Sequence, residues 1–430
     1  MTRTDASTGP DADPTAGRLL TEFPATVVLD RYEEVREALF NPDLSRTFDS
    51  RSYAEGNIRD GVVSISHGAI HRARRRIENT QFRPDVLRLY ERELFPAVLD
   101  QLLDVLIDGP SVDLFPVAEL LSVVLAARRA GIDVDEHDLG QLRELVQYVD
   151  VFSQGSAILD ARDPDAVRRM VYDAYASFDR DWIRPSWERR DALLGRRETG
   201  VEVELPHDIL TVLLEHRGDP QLGLADTGRV VREVATYLQG GTHTSAQTLV
   251  NALDLMFADP AANRHLERCA DDLVYSQRVV HETLRLRPTT PRIRRRAEAA
   301  TIVAGRTVPR DGLVILDAIA GNRDPALFGT DPDAFDPDRT VDPSVARWGL
   351  SFGAGAHQCP GRSVGGGFPV PDGPAGDDHL FGLVAVELRE MCRRGIGPDP
   401  AGTPERDTRT ERFTRWAHYP VRFERWTPPA

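Results

Sequence analysis

The segment Phe352-Gly-Ala-Gly-Ala-His-Gln-Cys-Pro-Gly361 sets Cys359 between glycines on both sides. Glycines there let the backbone turn tightly and lie flat against a planar ligand, with amide N–H groups free to point at the sulfur. Such hydrogen bonds lower the pKa of a thiol and keep it as thiolate, the form that binds metals. A Gly-rich turn around a buried, inert cysteine is the plainer reading, and for this segment alone it is preferred. A second pattern is Glu282 and Arg285, three apart on a stretch where Leu273, Val280 and Leu284 mark one apolar face, so that their side chains can pair. Taken alone, that is a routine surface ion pair worth little.

The elements that must position these groups are mostly helical. Thr26 to Leu29 reads as a short strand, and Tyr32 to Phe40 as a helix closed by Asn41-Pro42. Asp49 to Ser66 reads as a loop. Helical periodicity dominates from His71 to about Leu255, broken at Asp108-Gly-Pro110, Gly131, Asp163-Pro164, Gly200 and Gly218-Asp-Pro220. From Ala300 short β-like runs take over, Thr301 to Val303 and Leu313 to Leu316, followed by an irregular Pro/Asp-rich stretch, Asp324 to Asp342. No internal repeat and no clear linker divides the chain. The expectation is a mainly α protein with small β-sheets, residues 1–17 forming a disordered tail and 18–430 a single domain.

Composition narrows the partners. With 53 basic and 68 acidic residues, the formal charge of −15 repels phosphate backbones and anionic lipid, which argues against nucleic acid or a membrane surface. Every one of the basic residues is Arg, which reads as a bias of the genome before it reads as function. The 3 cysteines, Cys269, Cys359 and Cys392, build no disulfide framework and fit a reducing compartment. No apolar run approaches the ~20 residues that span a bilayer, and the N-terminus has no signal segment. A cytoplasmic location is expected.

Three motifs in one order carry a resemblance. Phe-x-x-Gly-x-x-x-Cys-x-Gly is met at Phe352, Gly355, Cys359 and Gly361, Glu-x-x-Arg at Glu282 and Arg285, and Phe-Asp-Pro-Asp-Arg at Phe335 to Arg339. The chain thereby resembles the cytochrome P-450 superfamily in its bacterial form, from roughly Thr26 to Phe423. The resemblance implies that fold, with heme b (iron protoporphyrin IX) between a long central helix and the Cys loop and Cys359 as the iron ligand. Glu282, Arg285 and Arg339 would form a structural triad, and His71, Arg75, Arg295 and His357 would meet the heme propionates, with Phe352, Gly355 and Gly361 shaping the loop. A Cys ligand pushes electron density through iron onto dioxygen and favours O–O cleavage.

The dioxygen face falls on the helix expected from about Leu224, where Val230, Val234 and Leu238 and then Leu249, Leu253 and Met256 enclose Gln239-Gly-Gly-Thr-His-Thr-Ser245. Paired glycines inside a helix cost ~1 kcal/mol each against Ala, so Gly240-Gly241 asks for a reason. Close packing of another helix is one. A local opening for dioxygen, with Thr244 bonding back to a carbonyl one turn earlier, is the other and the one preferred here. Gly241, His243, Thr244 and Ser245 are the expected catalytic residues. Where the family has Asp or Glu before the Thr, this chain has His243, read as a proton relay near neutral pH or, alternatively, as a ring turned outward onto an acid.

The family also runs from the Cys straight into a helix, whereas Gly365 to Gly376 is too rich in Pro and Gly to be helical. Substrate residues implied by the resemblance are Ser52 to Ile65, Leu238, Gln239, Gly240, Thr289 to Ile293, and the turn near Trp416 to His418. The implied activity is a heme-thiolate monooxygenase on a small natural-product or amino-acid-derived molecule, fed from NAD(P)H through ferredoxin reductase and ferredoxin. A peroxide-using or oxidatively coupling enzyme is the alternative, and a heme-binding protein without turnover is disfavoured by Thr244 and Ser245.

Overall fold

The structure, a computed structural model, describes residues 25–46, 59–107, 109–158, 161, 163–370, 375–407 and 415–424. The expected tail 1–17 and the part of the expected substrate loop at 52–58 lie outside the described residues. Helices dominate, and the sheets are small. Strands β1 (Thr26–Leu29), β2 (Leu44–Ser45), β3 (Arg292–Ala297) and β4 (Leu313–Asp317) form one sheet in the order β1-β4-β3-β2, with β1 parallel to β4 and the other pairs antiparallel. Its residues pack with α1 (Tyr32–Phe40), placed where the sequence predicts it, in a second, smaller core that includes Leu29, Tyr32, Val35, Val314 and Leu316.

The main core forms around α5 (Thr227–Ala258), whose Asp226 caps the first turn by accepting from the Arg229 amide. Val230, Val234, Leu238, Leu249, Leu253 and Met256 are all fully buried, as their spacing requires. Against this helix lies α3 (Leu114–Ala130), apolar around almost its whole circumference and buried accordingly. The other helices used below are α2 (Gly68–Glu78), α4 (Leu139–Ser156), α6 (Leu273–Leu286) and α7 (Leu383–Arg393). Among the described residues no helix is long and apolar enough to cross a membrane. Cys269 and Cys392 meet thiol to thiol in the core, and that hydrogen bond together with burial raises the Cys392 thiol well above its ordinary range.

The irregular stretch after β4 holds its shape through buried cations. Arg285 grips Glu282 with two hydrogen bonds of 2.8 and 2.7 Å and donates to the carbonyls of Asn322 and Pro332 at 2.9 and 2.6 Å. Arg339 reaches the same carboxylate at 3.2 Å and donates to Asp331 and Ala334 carbonyls at 2.9 and 2.8 Å. Both guanidiniums therefore supply donors that the missing secondary structure cannot.

After Cys359 the chain makes one helical turn, Arg362–Gly365, and the next helix starts only at Leu383. The segment between is pinned from α6 by Gln277, which donates to the Gly366 and Phe368 carbonyls at 3.0 and 2.8 Å, and by His281, whose Nε2 donates to the Gly366 carbonyl at 2.6 Å. Glu91 accepts from the amides of Phe381 and Gly382 at 3.0 and 2.7 Å. Burial, opposed by the Gly366 hydrogen bond, lowers His281 to about 3.

Two outcomes follow for stability. Arg285→Met leaves Glu282 buried with one cation fewer, and chemical denaturation should show a loss of about 3 kcal/mol or more; a loss under about 1 kcal/mol would mean that Arg339 suffices. His281 stays neutral when folded but ionises near its ordinary value of 6.5 when unfolded, so its contribution is complete above that pH and falls as pH drops from 6.5 toward 3. His281→Gln should flatten the acid limb of stability against pH by up to about 1.4 kcal/mol per unit, and an unchanged limb would remove His281 as its source.

Candidate functional site

Cys359 opens onto a cavity of 430 Å³ whose walls come from α2, α3, α4, α5, β3 and the Cys loop. The loop is shaped by its backbone. The Cys359 amide donates to the Phe352 carbonyl at 2.9 Å, and Phe352 packs edge-on against Trp348 at 5.3 Å. Gly355 has φ +68°, and a Cβ there would lie 2.5 Å from the Leu39 carbonyl oxygen, so only glycine lets the loop seat on α1.

The thiol itself does not behave as the glycine framing suggests. Burial raises the Cys359 thiol above its ordinary value, and the Gly361 amide hydrogen bond and the charges of Arg75, Arg362 and Arg46 pull the other way without prevailing. Only one helical turn follows it, so little helix dipole assists. What would make it a thiolate is a cation on the sulfur itself. Among the described residues no group of three or more His, Cys, Asp and Glu could hold a bare metal ion.

One side of the cavity is basic. His71, Arg75, Arg295 and His357 all line it, joined by Arg46, which sequence reasoning missed. The two imidazoles face each other with ring centroids 4.1 Å apart, and Arg75 donates to the Gln358 carbonyl at 2.7 Å. Burial, then the charges of Arg75, His67, Arg72 and Arg46, lowers His71 to about 4. Burial, then His71, Arg46, Arg295 and His67, lowers His357 to about 2. The charged neighbours that shift both rings are all basic, an arrangement that suits a ligand bringing two carboxylates, as heme does.

The α5 wall separates the two reasons for a glycine pair. A Cβ on Gly241 would lie 3.0 Å from the Ala126 Cβ, so this glycine lets α3 and α5 approach while it lines the cavity. A Cβ on Gly240 would meet nothing within 4 Å, so this glycine leaves space. The Thr244 hydroxyl donates to the Gly240 carbonyl at 2.7 Å, and Thr248 to the Thr244 carbonyl at 2.7 Å. Ser245, Gln239 and Ile293 also line the cavity.

His243 is neither outward nor free. Its Nδ1 lies 2.7 Å from the Ser153 hydroxyl, and its Nε2 lies 3.1 Å from Glu119 without making a hydrogen bond, so the ring stands against an acid, but inside the wall. Glu119 in turn accepts from Arg415 at 2.8 Å, and Arg415 also holds Asp150. These partners come from α3, α4, β5 (Glu405–Asp407) and β6 (Arg415–His418), with Asp407 3.9 Å from Arg415. No local spacing links them, which is why the sequence hid them. Two expected substrate residues are corrected. Leu238 is fully buried in the core and does not line the cavity, and Trp416, 5% exposed, donates to Asn251 at 3.1 Å under the Arg406 guanidinium while its neighbour Arg415 faces the cavity.

Comparison with known proteins agrees with this geometry. A family model described as Cytochrome P450 matches residues 18–366, ending where the pinned segment begins. Cyclooctat-9-en-7-ol 5-monooxygenase of Streptomyces melanosporofaciens is 28% identical over 357 residues, covering 76% of this chain and 74% of its own. Among solved structures, CalO2 superposes over 100% of both chains with TM-score 0.74 at 21% identity. A mutant of EryK bound to erythromycin B covers 98% of this chain and 99% of its own with TM-score 0.69 at 22% identity. With the Cys loop, the Glu282 triad and the glycine-opened central helix in one fold, and a family match over most of its length, the chain belongs to the cytochrome P-450 family of heme-thiolate monooxygenases.

Proposed function

We propose that this chain inserts one atom of dioxygen into a small organic substrate, with the cavity between α5 and the Cys loop as the reaction chamber, and that it draws electrons from NAD(P)H through a ferredoxin reductase and a ferredoxin in the cytoplasm. The observation that carries this reading is the position of Cys359 in the same cavity as the Thr244–Gly240 opening and the basic rim. Heme bound through a cysteine thiolate supplies dioxygen activation. Cys359 would be the one protein side chain that holds its iron. His71, Arg75, Arg295 and His357 would hold its propionates, Gly240 would leave room for a small ligand, and Thr244, whose hydroxyl proton is held on the Gly240 carbonyl, would turn its oxygen to the cavity as an acceptor.

The substrate reading follows from the opposite wall. Ser153, Gln154, Gln247, Asn251, Asp150 and Arg415 face the cavity beside Phe115 and Leu125, so a partly polar molecule with hydrogen-bonding groups fits better than a hydrocarbon. The names of relatives support a natural product: one acts on cyclooctat-9-en-7-ol, EryK was solved with erythromycin B, and HmtT is involved in himastatin biosynthesis. The engaged ring of His243, standing where the family keeps an acid, favours a second reading, oxidation by peroxide or oxidative coupling without oxygen insertion. Product mass under labelled dioxygen separates them: a gain of the label supports insertion, and its absence from every product supports the second.

The ligand assignment has a spectral test. Reduced protein under carbon monoxide should show the red-shifted Soret band of thiolate ligation, Cys359→Ser should abolish it, and Cys269→Ala and Cys392→Ala should keep it. A band that survives Cys359→Ser contradicts the assignment. Arg75→Ala and Arg295→Ala should each raise the heme dissociation constant by roughly tenfold or more, since each removes a charge-assisted hydrogen bond worth about 1.5–3 kcal/mol, without moving that band. Unchanged affinity in both would detach these cations from the propionates.

A further inference from the structure

Beside the cavity, α2 and α5 bury a charged group that the preceding reading does not use. Arg74, Glu78 and Glu233 are each 0% exposed. Arg74 pairs with Glu233 and lies 3.5 Å from Glu78, so two carboxyl groups share one guanidinium. Glu233 also accepts from the Val63 amide at 2.9 Å, and the Tyr237 hydroxyl donates to Glu78 at 2.7 Å. Each glutamate keeps one buried oxygen without a hydrogen-bond partner. Two carboxylates against one cation out of water leave an uncompensated charge, which costs several kcal/mol unless a proton removes it.

Burial, then repulsion from Glu233, raises Glu78 well above the carboxylate range against the pull of Arg74, and burial raises Glu233. Arg75 exerts a weaker pull on both and on Tyr237, while Arg129 on α3 stands over Phe82, the ring beside Tyr237. Two buried carboxyls on one guanidinium thus favour keeping a proton between them. Glu233, Tyr237, Gly240, Gly241 and Thr244 follow at helical spacing along one face of α5, and all line the cavity. The 11 residues from Glu233 to Thr244 span roughly 16 Å, a distance that water in the cavity can bridge. His243, next to Thr244, is held at Nδ1 by Ser153, and its Nε2 is turned to Glu119 at 3.1 Å.

We infer that Arg74, Glu78 and Glu233 store a transferable proton, and that it reaches the Thr244 hydroxyl along the α5 face past Tyr237. A carboxyl O–H bond breaks at Glu233, the member of the group that lines the cavity, and its proton joins cavity water. A water proton bonds to the Thr244 oxygen as that hydroxyl, turning from the Gly240 carbonyl, releases its own proton into the cavity, and the carboxylate regains a proton from solvent. No electron moves. The inference rests on the oxygenase reading of the cavity, and the glutamates act through Thr244 as positioning residues.

Infrared difference spectra of the heme-loaded protein test the store without turnover. At neutral pH the parent should show the carbonyl stretch of a protonated carboxylic acid, sensitive to D2O and lost in Glu78→Gln. Delivery is read by reducing the heme-loaded protein with dithionite and timing its return to the ferric state in aerated buffer across pH. Glu78→Gln and Glu233→Gln should slow that return about tenfold or more and lose its pH dependence while keeping the carbon monoxide band. Tyr237→Phe, which leaves both carboxyls, should keep the infrared band and slow the return. Absence of the infrared band in the parent, its persistence in both Gln variants, or parent-like rates in all three variants overturns the inference. A parent lacking the thiolate carbon monoxide band would instead overturn the oxygenase reading, with the infrared result still deciding the store.

Discussion

The carboxylate of Glu282, held between Arg285 and Arg339, fixes the position of everything on the sulfur side of the cavity. Arg285 passes that order on through Asn322: it donates to the Asn322 carbonyl, and the Asn322 side chain donates back to the Arg285 carbonyl at 3.0 Å and to Ser351 at 3.1 Å. Asn322 also accepts from the Leu350 amide at 2.7 Å, and Ser351 donates to the Leu284 carbonyl at 2.6 Å. The next residue, Phe352, accepts from the Cys359 amide. A buried ion group is expensive to desolvate, but every hydrogen bond donated by the two guanidiniums ends on a carboxylate or a carbonyl, which is the condition under which it can be kept. It gives an irregular chain the rigidity that neighbouring strands would give elsewhere.

The cavity has two electrical sides with different jobs. Around His71 and His357 the neighbours are basic, and the rings are kept neutral by burial and by those charges. A dianionic ligand edge placed there would relieve that repulsion, and its binding would then add to local stability. On the far side, Glu119, Asp150 and Arg415 tie α3, α4 and β6 to His243 on α5. That wall comes from four parts of the chain, so it can vary with substrate without disturbing the sulfur ligand.

The segment after Cys359 shows how a departure from the family pattern is absorbed. Its Gly and Pro content prevents a helix, and the freed backbone groups are taken up by Gln277, His281 and Glu91. Two of these lie on α6, the helix of Glu282 and Arg285, so the displaced segment is referred to the same rigid frame. The sulfur loses a long helix dipole but not its fixed position.

The sequence by itself determined the Cys loop, the Glu282–Arg285 pair and the breaks between elements, because each rests on residue type at short spacing: Gly around Cys359, Glu three before Arg, apolar residues every third or fourth along α5; Arg339, 57 residues from Glu282, entered only through the resemblance. It also foretold the Thr244 hydrogen bond, which spans one turn of one helix. Only the tertiary structure decided which of two adjacent glycines packs and which opens, since Gly241 meets Ala126 from another helix and Gly240 meets nothing. It alone turned Leu238 and Trp416 into the core, set Arg415 against the cavity, and placed His243 between Ser153 and Glu119. It alone brought Glu78 and Glu233 onto one guanidinium. Ser153 and His243 stand 90 residues apart in the chain, and Arg74 and Glu233 159 apart. At such separations no local periodicity carries information, and the packing of helices decides which side chains meet.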